Sequence, residues 1–243
     1  ELYRTYGCVL QTGGSDQWGN LTSGVDLIHH AEHASVHAIG TPLITNSDGT
    51  KFGKSEGNAI WLDASMCSPY RMYQFWLNTD DADVITRMKI FTFLTREEID
   101  EYERLVEVEP YRRAAQKRLA LEVTTTVHGP EATAAVIAAS DALFGQGDLT
   151  SLDAEVLRTA LEELPHVEGA REMTVVEALV ATGLVASLSE ARRAIAQGGV
   201  SLDGIRVDDD GARVTGGLPG GVSVLRRGKK TLAGVFLGPR ESA

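Results

Sequence analysis

The run Cys8-Val9-Leu10-Gln11-Thr12, followed at once by Gly13-Gly14-Ser15-Asp16-Gln17, does most to limit the folds open to this chain. A short β-favouring run ends on two glycines, a hydroxyl and a carboxylate. A helical spacing of apolar residues then begins at Leu21, Val25, Leu27 and Ile28. Strand, glycine turn and helix in that order make the edge at which α/β sheets bind ligands. Gly13 and Gly14 let the backbone approach a ligand closely. Asp16 is placed to accept hydrogen bonds from ribose hydroxyls, and Gln17 can both donate to and accept from a polar substrate. A tight turn with Asp16 as an N-cap accounts for the same residues, so the turn alone does not decide between them.

The strand expected over Val36–Thr45 delivers the chain to Asp48-Gly49-Thr50-Lys51-Phe52-Gly53-Lys54-Ser55-Glu56-Gly57. Glycine at every fourth position, with Asn46 and Ser47 just before, predicts a loop. Two lysines three apart on such a loop, followed by the Ser55 hydroxyl, suit a polyphosphate gripped during only part of a reaction. A solvated loop with two ordinary lysines is the plainer reading. His29, His33 and His37 recur every fourth residue near the end of the preceding helix, a spacing that could hold a metal. A frayed polar helix end explains them equally well, and no resident metal is expected.

These pieces together resemble the bacterial tyrosyl-tRNA synthetases, which are class I enzymes. The resemblance rests on Gly13-Gly14-Ser15-Asp16-Gln17-Trp18-Gly19-Asn20, then Asp48-Gly49-Thr50-Lys51-Phe52-Gly53-Lys54-Ser55, then Ile60-Trp61-Leu62-Asp63 and Tyr73-Gln74-Phe75-Trp76. The lysine stretch is similar to that family's variant of the loop usually written KMSKS. The resemblance extends from Leu2 to Leu237. It implies the carboxyl-terminal part of a Rossmann-type catalytic domain, in which Gly14 and Asp16 contact the adenylate ribose and Gln17 approaches tyrosine. Lys51 and Lys54, assisted by Ser55, would stabilise the leaving pyrophosphate, with Lys54 also counted among the ATP contacts.

The family's His-x-Gly-His signature is not among the six histidines here. The chain is therefore expected to hold half an active site and to make no adenylate by itself. By resemblance the substrates are tyrosine, ATP with its Mg2+, and tRNA(Tyr). No tightly bound cofactor is implied, and the full-length protein is expected to be a homodimer. A non-catalytic RNA-binding protein on a synthetase-like scaffold is the alternative. A tryptophanyl enzyme fits less well, because that family generally lacks the basic tail domain.

The rest of the chain reads as helices and then a small α+β tail. Ser68-Pro69 and Thr95-x-x-Glu98 are helix starts. Pro110 and Gly129-Pro130 are breaks, the latter before a helix over Glu131–Phe144. Residues 64–145 are expected as a helical domain, which by the same resemblance faces the anticodon arm, with Arg112, Arg113, Lys117 and Arg118 on one face of one helix. Residues 146–170 are expected as an acidic linker, weakly docked to either neighbour.

By resemblance, residues 1–63 belong to the catalytic domain and 171–243 to a small RNA-binding domain of the S-four type. That tail carries capping boxes at Thr174-x-x-Glu177 and Ser187-x-x-Glu190 and a hairpin at Asp203-Gly204. The formal net charge of −11 argues against nucleic acid, yet its distribution does not. Residues 171–243 carry ten Lys and Arg against eight Asp and Glu, while residues 1–170 carry thirteen against twenty-six. Arg192 and Arg193, with Arg226, Arg227, Lys229 and Lys230 around a turn at Gly228, are expected to form one phosphate-binding surface for tRNA. Asp208–Asp210 should face away from it. Only Cys8 and Cys67 occur, and no apolar run approaches about 20 residues. A cytoplasmic setting without a membrane span is the expectation.

Overall fold

The glycine turn ends a strand that pairs in parallel with the next one. β1 (Leu10–Gly14) lies beside β2 (His37–Thr41), with Gly13 opposite Gly40 and Gly14 opposite Thr41. A short helix, α1 (Leu2–Tyr6), precedes them, and α2 (Trp18–Glu32) makes the crossover between them. Parallel strands need such a crossover. Leu21 of α2 is buried and packs over Gly13, 3.5 Å from the position a Cβ there would take. The helix stops at Glu32 because His33 takes the left-handed conformation, φ 51°. His37 then belongs to β2, so His29, His33 and His37 do not share a helix face.

The computed structural model describes residues 1–47, 49–50, 52, 60–144, 147–169, 173–228 and 231–238. Lys51, Lys54, Ser55, Lys229 and Lys230 lie outside the described residues, as does most of the glycine-rich loop. The chain divides into two compact units, residues 1–60 and 61–243. No helix among the described residues is long and apolar enough to cross a membrane.

The second unit begins with a bundle. Its helices are α3 (Pro69–Leu77), α4 (Asp81–Phe91), α5 (Arg96–Val108), α6 (Ala114–His128), α7 (Pro130–Phe144) and α8 (Ala154–Glu162). Three of these starts have a side-chain cap: Ser68 Oγ accepts from the Arg71 amide, Thr95 and Glu98 form a reciprocal capping box, and Asp153 accepts from the amides of Glu155 and Val156. α6 is central and packs on α3, α4, α5 and α7, burying Ala115, Leu119, Ala120 and Val123 against residues such as Met72, Trp76, Val84 and Met88.

Charge enters this core only where it is bonded. Arg87 donates to Asp83 at 3.0 Å and to Thr79 Oγ1 at 3.2 Å, while Gln116 donates to Asp81. The arginines of the α6 region are similarly engaged. Arg113 donates to the Leu77 and Thr79 carbonyls, Arg118 pairs with Glu98 and Glu122, and Arg112 pairs with Glu109.

A five-stranded mixed sheet follows, with β3 (His166–Val167), β4 (Val200–Leu202), β5 (Ile205–Arg206), β6 (Val222–Arg227) and β7 (Thr231–Phe236) in the order β3-β7-β6-β4-β5. Only the β3–β7 pair is parallel. The helices α9 (Val175–Ala181) and α10 (Leu188–Ala196) cover one face through Leu179, Ala191, Ile195, Leu225, Ala233 and Val235. The β4–β5 turn is at Asp203-Gly204 with φ 52° and 83°, as an Asp-Gly two-residue hairpin requires. The Asp203 carboxylate turns inward and accepts from Ser223 Oγ at 2.9 Å and the Val224 amide at 2.7 Å.

The weak docking expected for residues 146–170 is overturned. Leu157, Ala160 and Leu161 of α8 are fully buried, and this helix packs on α3, α7 and β7. Burying a leucine contributes roughly 1.5–3 kcal/mol, which a freely moving linker would forgo.

Candidate active site and candidate nucleic-acid interface

In the first unit, Gly14, Asp16 and Gln17 converge at the carboxyl end of β1. Gly14 closes the strand, and Ser15–Gln17 form one 3-10 turn that leads into α2. A Cβ on Gly14 would lie 2.6 Å from Asp16 Oδ1 and 3.2 Å from the Leu43 side chain, so this position must be glycine if Asp16 is to hold its place. Gln17 is held from both sides, donating to Asp16 at 3.5 Å and accepting from Asn20 at 2.9 Å. Asp16 and Gln17 are exposed, leaving a carboxylate and an amide open at the end of a parallel strand. That arrangement suits hydroxyl and polar recognition.

The described residues that precede the lysine stretch lie near the same turn. Beyond β2, Leu43 rests near Gly14, and the Gly49 amide donates back to the Asn46 carbonyl at 2.9 Å. Asn46 N donates to Thr50 O at 2.8 Å, Asn46 Nδ2 donates to Thr50 Oγ1 at 2.8 Å, and Phe52 N donates to Ile44 O at 3.2 Å. Gly49 takes φ 81° in this turn. The side chains of Lys51, Lys54 and Ser55 fall outside the described residues.

In the second unit the expected single basic surface is divided. Arg192 and Arg193 are exposed on α10, and Arg192 Nε lies 3.4 Å from Asp210 Oδ2. Asp210 therefore faces this basic pair and does not turn away from it. Arg226 and Arg227 are neighbours on β6, and successive strand residues point to opposite faces. Arg227, on the face of α9 and α10, donates to the Leu184 carbonyl and to Glu190 at 2.7 Å. Arg226, on the other face, donates to the Leu143 carbonyl at 2.7 Å. Glu190 also accepts from the Ala186 amide, which with Arg227 holds its carboxyl below the usual carboxylate range. Both β6 arginines are thus engaged within the protein.

Reading the sequence also passed over Arg206. Its guanidinium lies against Gly198, whose φ of 69° favours glycine and whose missing Cβ leaves room for it. The pattern of an arginine just after a hairpin turn was there to find. A cleft lined by Tyr70, Tyr73, Gln74, Arg113, Lys117 and Asp141, about 840 Å³ in volume, was not signalled by any motif.

Comparison with known proteins gives these geometries a context. Residues 2–145 match the family described as tRNA synthetases class I (W and Y), and residues 156–234 match the tyrosine–tRNA ligase SYY-like C-terminal domain. The tyrosine–tRNA ligase of Leifsonia xyli subsp. xyli is 66% identical over 239 residues, which are 98% of this chain and 54% of that one. The tyrosine–tRNA ligase of Streptomyces avermitilis is 58% identical over 238 residues, 97% of this chain and 56% of that one. This chain thus spans about half the length of the curated relatives it matches.

Among solved structures, a C-terminally truncated Aspergillus nidulans mitochondrial tyrosyl-tRNA synthetase superposes with a TM-score of 0.50 at 34% identity, covering 57% of this chain and 40% of that one. The fold is accordingly tyrosyl-tRNA synthetase-like, with helices and a mixed sheet. Matched over more than half its length, the chain belongs to the class I tRNA synthetases of the tryptophan and tyrosine family.

Proposed function

We propose that this chain serves as the carboxyl-terminal part of a tyrosine–tRNA ligase. In this reading tyrosine and ATP, the latter taken as its Mg2+ complex, give tyrosyl-adenylate, and the tyrosyl group then passes to the 3′ end of tRNA(Tyr). Residues 1–63 supply the end of a Rossmann-type domain, residues 64–145 face the anticodon arm, and the tail is an S-four-type RNA-binding module. The working protein is a cytoplasmic homodimer.

The observation that carries this reading is the parallel βαβ edge on which Gly14, Asp16 and Gln17 converge. Gly14 gives the backbone room to meet the adenylate ribose, Asp16 accepts from its hydroxyls, and Gln17 meets tyrosine. Lys51 and Lys54, with Ser55, meet the pyrophosphate as negative charge grows on it. Cations that grip the transition state more strongly than the ground state raise the rate, and a loop that closes late supplies that difference. Arg192 and Arg193 supply phosphate contacts to tRNA, an interaction driven largely by counterion release.

Tyrosine-dependent ATP–pyrophosphate exchange by the complete protein tests the reading. Lys54→Ala should slow adenylate formation by at least about 10²-fold, the cost of losing one preorganised donor, with a smaller effect on tyrosine affinity. An unchanged rate would remove the lysine loop from the chemistry. Absence of exchange with tRNA binding intact would leave a binding module.

A further inference from the structure

The sheet of the second unit is covered on both faces, and the second cover is the helical bundle. Val222, Val224, Leu232 and Phe236 are buried, and by strand register they stand on the face away from α9 and α10, together with Gly234 and Arg226. Arg158 of α8, itself only 8% exposed, lays its guanidinium 4.6 Å from the Phe236 ring centroid and pairs with Glu162 and Glu168. A Cβ on Gly234 would come 2.9 Å from Leu161 Cβ and 3.1 Å from its carbonyl, so strand and helix touch there with no space for a side chain. Arg226 completes the joint by donating to Leu143 O, one of the final carbonyls of α7. Helix ends leave such carbonyls without intrahelical partners and favour a cation beside them.

We infer that Arg226 is a positioning residue for RNA: it fixes the small sheet, and with it the exposed Arg192–Arg193 face of α10, in one orientation to the helical bundle. This rests on the tRNA-ligase reading proposed above. Two contact surfaces on a fixed frame engage one RNA at a higher effective concentration than two on a loose linker. A guanidinium committed to a helix carbonyl makes no phosphate contact, so Arg226 should act on affinity without acting on charge neutralisation.

The test uses the complete protein with Arg226→Met and Arg226→Lys. The readouts are tRNA(Tyr) affinity across a salt series and amide hydrogen exchange in α8 and β7. Arg226→Met should weaken binding by about tenfold while leaving the slope of log affinity against log salt unchanged, and amides in α8 and β7 should exchange faster. Arg226→Lys, which still donates, should restore most of both. ATP–pyrophosphate exchange should be the same in all three proteins. A slope reduced by about one in Arg226→Met would make Arg226 a direct phosphate contact and overturn the inference. Faster exchange with unchanged affinity would overturn it too, by showing a joint that does not position RNA. Failure of the ligase reading is seen separately, as absence of tRNA binding by the unsubstituted protein.

Discussion

His128 is the last residue of α6, and its Nε2 is buried with no hydrogen-bond partner among the described residues. A helix C-terminus favours a cation, yet burial outweighs that here and holds the imidazole below its ordinary range. The unfolded chain, titrating near 6.5, then binds more protons than the folded one at pH values between the two pKa values. Stability from this group is complete above about pH 6.5 and is lost as pH falls through that window. His128→Leu should make stability against pH shallower below about 6.5 by a fraction of a proton, with no change of slope above it. Urea titrations at a series of pH values measure this, and an unaltered slope would exclude His128 as the source. The local geometry was legible in the sequence where it is set by neighbours, as with Gly14 at the strand end and Asp16 in the turn that follows. Arg226 and Arg227 were expected on one surface, but adjacent residues on a strand point to opposite faces. The Arg87–Asp83 pair has the i,i+4 spacing of one helix, but that spacing does not announce its burial.

Helix starts are the elements that sequence reading recovers best, because a cap is decided within four residues. Ser68, Thr95 and Thr174 all accept from the amides their spacing assigns to them. Ser187 does so as well, but its Glu190 reaches past the cap to the Ala186 amide, since the carboxylate must also serve Arg227. The Thr174 box is complete, and the Thr174 amide and hydroxyl hold the Glu177 carboxyl below its usual range. A depressed carboxylate stabilises above its unfolded pKa and loses that contribution as pH falls through the folded one. Thr174→Ala removes the capping hydroxyl and should cost about 1 kcal/mol at neutral pH, read as a lower urea midpoint; because that hydroxyl also donates to Glu177, the difference from the parent protein should shrink in acid. A substitution without effect at pH 7 would mean that the Ala212 carbonyl, which already takes the Val175 amide, fixes this helix start without the cap. Where elements join, the sequence said less. The acidic, aromatic-poor segment before residue 170 read as a linker, because α8 shows its apolar stripe only to partners far away in the chain.

At the scale of the whole molecule, α8 decides where the carboxyl-terminal module begins. The sheet has two apolar faces: α9 and α10 cover one, and α8 covers the other through Leu157, Leu161 and the Arg158–Phe236 stack. Strand β3 also lies before residue 170 and extends the sheet beyond β7, with the His166 ring edge-on to Phe236. A piece starting at residue 171 would lack both and would open Val222, Val224, Leu232 and Phe236 to water. Each of those side chains contributes roughly 1.5–3 kcal/mol by burial, against a total stability of about 5–15 kcal/mol for a domain. A piece spanning 147–243 should accordingly unfold in one cooperative urea transition, whereas 171–243 should bind an apolar dye and lose its near-ultraviolet signal without a sharp midpoint. Equal, cooperative midpoints for the two pieces would mean that α9 and α10 suffice to hold the sheet, leaving α8 as a connector packed against a domain that does not need it.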